Sequence, residues 1–267
     1  MTRAGKDVSV DPQVNPNTES IQEPSDPEAA VLWRKRQLVI GLRLLSQAGL
    51  DDGIAGHITA RDVNDPDALW VNPLARRFST VRVRDLLLVD RHGSVIDGNG
   101  RVNRAAYAIH AAIHRQRLDV IGSVHSHSVY GKAWSTLGEP LSPLTQDACA
   151  FFQDHSVHRR YSGLVFDESD GYEIAASLGA NKAVVLQNHG LLTVGASVGA
   201  AVWWFLAMER ACQCEILARS AGTPIPIDHE AASLTWRQIG GEASGRFIFS
   251  SLADELLSHL GGFEALD

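Results

Sequence analysis

The chain has 267 residues, 45% of them hydrophobic and 21% charged, a composition that suits a soluble globular protein able to bury one substantial core. Its formal net charge of -7 is relieved by no basic stripe, which argues against nonspecific nucleic-acid binding. The longest apolar run, residues 200–207, is too short to span a bilayer, so no membrane role is expected.

Residues 1–27 are polar and rich in Asp, Ser, Asn, Gln and Pro, with neither an apolar signal core nor the arginine-rich character of a transit peptide. They are expected to form a flexible tail before a single domain over residues 28–267, which ends in a helical arm. Three cysteines, two of them only a C-x-C pair, suggest no disulfide framework and point to a reducing, cytoplasmic setting. Ser25-Asp26-Pro27-Glu28 is a helix-start signal, and apolar residues at helical spacing follow through Ala48 until Gly49. A strand is expected from Gly56-His57-Ile58-Thr59, then a polar excursion over residues 61–67. Further strands are expected at Leu69-Trp70-Val71, at residues 86–89 and, as a hairpin partner, at Val95-Ile96.

Asn103 is placed to cap a helix through Arg117. Val120, Ile121 and Val124 then mark a strand. Residues 146–152 read as a helix carrying Phe151 and Phe152, and residues 170–178 as another. Ala183-Val184-Val185-Leu186 is a buried strand that Leu191-Leu192-Thr193-Val194 continues after a turn. Residues 196–219 form the clearest long helix, where Trp203, Trp204, Phe205 and Met208 suit packing or subunit contacts. One more helix is expected between Trp236 and Leu260.

The chemistry concentrates in Val124-His125-Ser126-His127 and Gln187-Asn188-His189-Gly190. A strand projects residues i and i+2 to one side, so His125 and His127 can aim at one cation. A third imidazole from His189, at a turn that Gly190 lets pass close to an ion, would leave coordination positions open for water, substrate or oxygen. An open site is catalytic rather than structural.

Other polar residues group around this motif. His110 and His114 share a helix face. Ordinary packing suffices for His114, while His110 is a candidate for proton transfer. Gly56, His57 and Thr59, with Arg61, can form a polar wall that receives an anionic substrate group, or simply a tight turn into a strand. Residues 155–161 read as a mobile-loop or helix-end cluster, in which His155 and Tyr161 are candidate proton carriers.

These motifs resemble the class II aldolase/adducin family. The resemblance runs from about Val31 to Arg219. It is most specific in Val102-Asn103-Arg104-Ala105-Ala106-Tyr107-Ala108-Ile109-His110, in residues 124–127 and in residues 186–194. It implies a three-layer α/β/α sandwich around a central, largely antiparallel sheet, assembled as a homotetramer with sites near subunit interfaces. It also implies a divalent metal ion, Fe(II) or Zn(II), held by His125, His127 and His189.

The sequence departs from family aldolases in one respect. Their catalytic glutamate falls at or near Ala106, and neither Ala106 nor its neighbours Arg104 and Ala105 can act as a carboxylate base. The serines that hold a sugar phosphate lack clear counterparts, and residues 56–59 match the family's glycine-asparagine loop only in part. The leading expectation is therefore metal-dependent C–C cleavage, aldol-type or decarboxylating, of a small oxo or hydroxy acid. A rival follows from a branch similar to the non-haem iron oxygenases of aminocoumarin biosynthesis, namely Fe(II)-dependent oxidative decarboxylation of an aromatic 2-oxo acid. A third reading is a non-catalytic, adducin-like interaction domain.

Overall fold

A computed structural model describes residues 22–165 and 168–267. Residues 1–21 of the expected tail therefore lie outside the described residues. Helix α1 (Pro27–Gln47) starts where the Asp26 carboxylate accepts the Ala29 amide at 2.9 Å and Pro27 opens the first turn. It stops at Gly49, whose φ of 70° a side chain would resist.

The sheet is built from β1 (His57–Arg61), β2 (Leu69–Val71), β3 (Leu87–Val89), β4 (Val95–Asp97), β5 (Gly122–Ser126), β6 (His155–His158), β7 (Ala183–Leu186) and β8 (Gly190–Gly195). Their order is β4-β3-β2-β1-β5-β8-β7-β6, antiparallel throughout except for the parallel β6–β7 pair at one edge. The largely antiparallel sandwich expected from the sequence is what forms.

Alternation along the strands sorts side chains between two helical layers. Ile58, Ala60, Val124, Val185 and Leu191 face α1, α3 (Val129–Ser135), α5 (Val198–Ala221) and α7 (Glu242–Leu260), and with them make the larger core. Leu69, Val71, Val184, Leu192 and Val194 face α2 (Arg104–Gln116) and α4 (Glu168–Leu178). Between the two apolar clusters under α2 runs a polar seam. Register pairs His57 with His125 and Thr59 with Ser123, so all four side chains share that face.

Three local expectations are corrected. Residues 146–152 make only a 3-10 turn, Ala148–Phe151, because the chain reverses at Gln153 (φ 55°) while Phe151 packs edge-on against Trp204. The 155–161 cluster begins as strand β6, whose backbone finds its ladder on β7. The terminal helix is two, α6 (His229–Ile239) and α7, broken at Gly240-Gly241, where Lys182 Nζ donates to the Gly240 carbonyl. Helix α3 has no counterpart in the sequence reading. No described helix is long and apolar enough to cross a membrane.

Candidate metal centre

Strand β5 delivers His125 and, one residue past its end, His127. The turn between β7 and β8 delivers His189, with Asn188 at φ 59° and Gly190 at φ 152° bending the chain back. A Cβ on Gly190 would lie 3.3 Å from the Ser126 carbonyl, so the turn sits close against β5. The three ligand nitrogens lie within 4.8 Å of one another. Among the described residues this is the only group of three or more His, Cys, Asp or Glu side chains so arranged.

The donor set fits a divalent ion on two grounds. The Nε2 atoms of His127 and His189 are 3.1 Å apart. Nitrogens each about 2.0–2.1 Å from a shared ion can be separated by up to about 4.2 Å, so this spacing is compatible with common ligation. The rings are also held neutral, as ligation requires. Burial, reinforced by the neighbouring imidazoles, pushes His189 down to about 4 and His125 well below its usual range. Burial likewise lowers His127. His125 Nδ1 donates to the Leu191 carbonyl at 2.8 Å, which fixes its tautomer and leaves Nε2 as the ligand atom.

Asp52 is the carboxylate whose charge reaches His127, but it is 63% exposed and paired with Lys132 at 2.7 Å. The cluster is thus all-imidazole, a set that suits zinc or iron and leaves positions for substrate.

Behind His125 the polar seam continues. His57 is buried, its ring parallel to that of His125 at 6.4 Å between centroids and edge-on to His110 at 6.0 Å. The Thr59 hydroxyl lies 2.9 Å from His110 Nδ1 and 3.0 Å from His114 Nε2. One donor proton and two lone pairs let a single hydroxyl serve both rings. Burial pushes His110 and His114 down to about 3, and His57 well below its usual range. Four buried polar atoms of the seam, His57 Nδ1, His110 Nε2, His114 Nδ1 and Ser123 Oγ, have no hydrogen-bond partner among the described residues. Such atoms are rare in folded proteins.

The remaining singled-out residues are dispersed. Gly56, at φ 113°, lets the chain pass the His125 carbonyl, since a Cβ there would come within 3.2 Å of it. Arg61 lies four residues along β1 from His57, about 13 Å at strand rise. Its guanidinium serves the carbonyls of Val120, Pro66, His114 and Arg117. His155 stands on β6, three strands from β5, with its ring nitrogens engaged by the Leu141 amide and the Phe151 carbonyl. Tyr161, beyond β6, is 57% exposed. His110 and His57 thus share one seam with His125, whereas His155 and Arg61 are tied into other parts of the fold.

Sequence reasoning missed Glu209, a buried carboxylate on α5 that accepts from Ser128 Oγ at 2.5 Å and from the Tyr130 and Gly131 amides. A signal was present. Val202, Phe205, Glu209 and Cys212 fall on one helical face, and a charge at a core position needs partners.

The profile of the Class II Aldolase and Adducin N-terminal domain matches residues 36–216. A 4-hydroxy-3-prenylphenylpyruvate oxygenase/4-hydroxy-3-prenylbenzoate synthase of Streptomyces roseochromogenus subsp. oscitans is 45% identical, over 85% of this chain and 82% of that protein. Decarboxylase NovR of Streptomyces niveus is also 45% identical, over 85% of this chain and 84% of its own. Among solved structures, an L-fuculose 1-phosphate aldolase from Glaciozyma antarctica PI12 superposes with a TM-score of 0.84 at 40% identity, covering 91% of this chain and 96% of that one.

Proposed function

The chain belongs to the class II aldolase and adducin family, and from that premise we propose that it is an Fe(II)-dependent oxygenase that oxidatively decarboxylates an aromatic 2-oxo acid. More broadly, a histidine cluster able to hold a metal, together with homology to aldolases, decarboxylases and oxygenases, fits metal-assisted transformation of a small organic acid.

The observation that carries the proposal is an all-imidazole, neutral triad combined with a methyl group, Ala106, where the resemblance to sugar-phosphate aldolases calls for a glutamate. An aldol cleavage needs a base to take the hydroxyl proton. An oxidative route draws its driving force from dioxygen and dispenses with that base. The 45% identity to two proteins named for oxygenase and decarboxylase chemistry supports the same choice.

In this reading His125, His127 and His189 would hold the ion. When bound, it would supply Lewis acidity toward the 2-oxo carboxylate and, as Fe(II), a redox centre through which the 2-oxo acid, oxidised as it loses carbon dioxide, passes electrons to dioxygen. Gly56 and His57 flank His125 on the substrate side of β1, Thr59 acts behind them through His110 and His114, and Arg61 braces β1. His110, with its pKa near 3, acts as a hydrogen-bonding group of the seam rather than as a base near neutrality.

A zinc-dependent aldol or decarboxylating lyase is the second reading, favoured by the 40% identity to the L-fuculose 1-phosphate aldolase. That alternative needs a proton carrier, a role open to the exposed Tyr161 but not to His155, both of whose ring nitrogens are engaged on β6. A non-catalytic, adducin-like role has no use for three converging neutral imidazoles.

The deciding experiment reconstitutes metal-free protein with Fe(II) or Zn(II) and follows oxygen uptake and carbon dioxide release on a panel of arylpyruvates. Iron-dependent, oxygen-dependent release supports the oxygenase. Equal turnover with zinc under anaerobic conditions would overturn it in favour of the lyase. We further propose a cytoplasmic homotetramer. The exposed apolar side chains of Ile54 and Val129, beside the segments that carry the site, support subunit contact there, and sedimentation velocity tests the assembly.

A further inference from the structure

We infer that Glu209 is a positioning residue for the metal centre, acting through α3 as a strut that touches the settings of all three histidines. The inference rests on the metal reading of the triad and concerns what fixes its geometry.

Ser128, directly after His127, occupies the N-cap position of α3 but makes no capping bond with its own side chain. Its hydroxyl donates instead to Glu209 Oε2 at 2.5 Å. Glu209 also accepts the Tyr130 amide at 2.8 Å and the Gly131 amide at 2.7 Å. A carboxylate from α5 thus takes over the cap, favourably placed against the partial positive charge of a helix start. Glu209 is only 5% exposed, so these bonds act in a poorly screened setting. Three donors from four consecutive residues leave the chain immediately after His127 little freedom.

The opposite end of α3 meets His189. The Ser135 carbonyl accepts the Asn188 amide at 3.2 Å, one residue before that ligand. In the middle, Gly131 lies so close to Leu191 that a Cβ would come within 2.7 Å of its side chain. Leu191 is the residue whose carbonyl orients His125. Lys132 on the same helix pairs with Asp52 at 2.7 Å and so ties α3 to the loop before His57. A rotation of α3 would therefore move His127 and His189 relative to each other and disturb the Leu191 support of His125. The Glu209 carboxylate is what pins that rotation at its origin.

A purely structural role predicts something different, and α5 carries a matched control. Glu215 is similarly buried, accepts the Ser142 amide at 2.8 Å and pairs with Arg219 at 2.7 Å; it makes no hydrogen bond to α3 and reaches that helix only where Arg219 stacks on Trp134, away from the Ser128 end that Glu209 holds. The test compares full-length wild type, Glu209→Gln, Glu209→Asp and Glu215→Gln. Cobalt(II) affinity and ligand-field absorption are measured on protein shown to be folded by circular dichroism, beside Tm.

The expected result is a Co(II) affinity about 10- to 100-fold weaker in Glu209→Gln, the range seen when support behind metal ligands is removed. An altered absorption band should accompany it. Glu209→Asp should recover part of the affinity, and Glu215→Gln should lose Tm with unchanged affinity. Wild-type affinity and spectrum in Glu209→Gln or, should the amide variant not fold, in Glu209→Asp would overturn the inference. Wild-type protein that takes up no Co(II), or that keeps its affinity when His125, His127 and His189 are all replaced by Ala, would instead overturn the metal reading itself.

Discussion

The Nδ1–H of His125 donates to the backbone carbonyl of Leu191 across β5 and β8, at 2.8 Å. This bond links the one fully buried imidazole of the triad to the strand that follows His189. Ring orientation and tautomer at His125 are therefore set by the sheet itself, and its Nε2 faces the other two rings without rotamer freedom to be lost on binding an ion. Single replacement of His125, His127 or His189 by Ala should each lower metal affinity on the order of 100-fold or more, a floor set by what loss of mere ligand support costs. Metal content after dialysis against a weak chelator reads this directly. Full occupancy in any one of the three variants would remove that histidine from the set.

How much of this was legible depended on the range of the interaction. The i, i+2 rule for His125 and His127 is a local property of a strand, and the turn at His189-Gly190 announces itself by residue type, so the triad could be read from two short motifs. The strand and helix plan was legible for the same reason, since alternation and caps such as Asp26 and Asn103 are local. The seam was not. His57 read as part of a polar wall or of a tight turn into a strand, and its place beside His125 stayed hidden because register between β1 and β5 decides that pairing. Strand β6 was missed since its ladder depends on β7, and α3 since its cap comes from Glu209, some eighty positions downstream. Tertiary partners, absent from any window of sequence, carried what local pattern could not.

The Thr59 hydroxyl is the one group that joins His110 to His114, at 2.9 and 3.0 Å. Thr59→Val keeps the shape and removes both bonds, which leaves two further imidazole nitrogens buried without partners. The expected cost is about 1–3 kcal/mol in urea unfolding. Thr59→Ser, which retains the hydroxyl, should recover most of it. If Thr59→Val is as stable as wild type, the hydroxyl bridge contributes nothing.

Acid should destabilise the metal-free protein earlier than carboxylate titration alone would. Burial holds His110 and His114 at about 3, against the ordinary value of 6.5. Below about pH 6.5 the unfolded chain binds protons that the folded chain refuses, so the stability these groups contribute is complete above that pH. It is lost progressively as pH falls toward 3. Once the unfolded imidazoles are fully charged, each adds a slope of about 1.4 kcal/mol per pH unit. Denaturant unfolding of apo protein from about pH 7.5 to about pH 5 should show stability falling with this sign. A flat or rising profile toward acid would contradict neutral burial.

Gly56 is where backbone conformation and site geometry meet. Its φ is 113°, and an added Cβ would stand 2.8 Å from the Phe78 ring, 3.0 Å from Ser126 Oγ and 3.2 Å from the His125 carbonyl. Gly53, at φ 62°, has nothing within 4 Å of the same added atom. The pair separates strain from displacement. Gly53→Ala should cost only the backbone penalty, of order 1 kcal/mol, and leave metal affinity untouched. Gly56→Ala carries a similar or larger penalty and must also push β1 away from β5, which shifts His57 against His125. Its Tm should fall further than that of Gly53→Ala, and its metal affinity should fall with it. Equal Tm losses and equal affinities in the two variants would mean that the approach of this loop to His125 has no bearing on the metal centre.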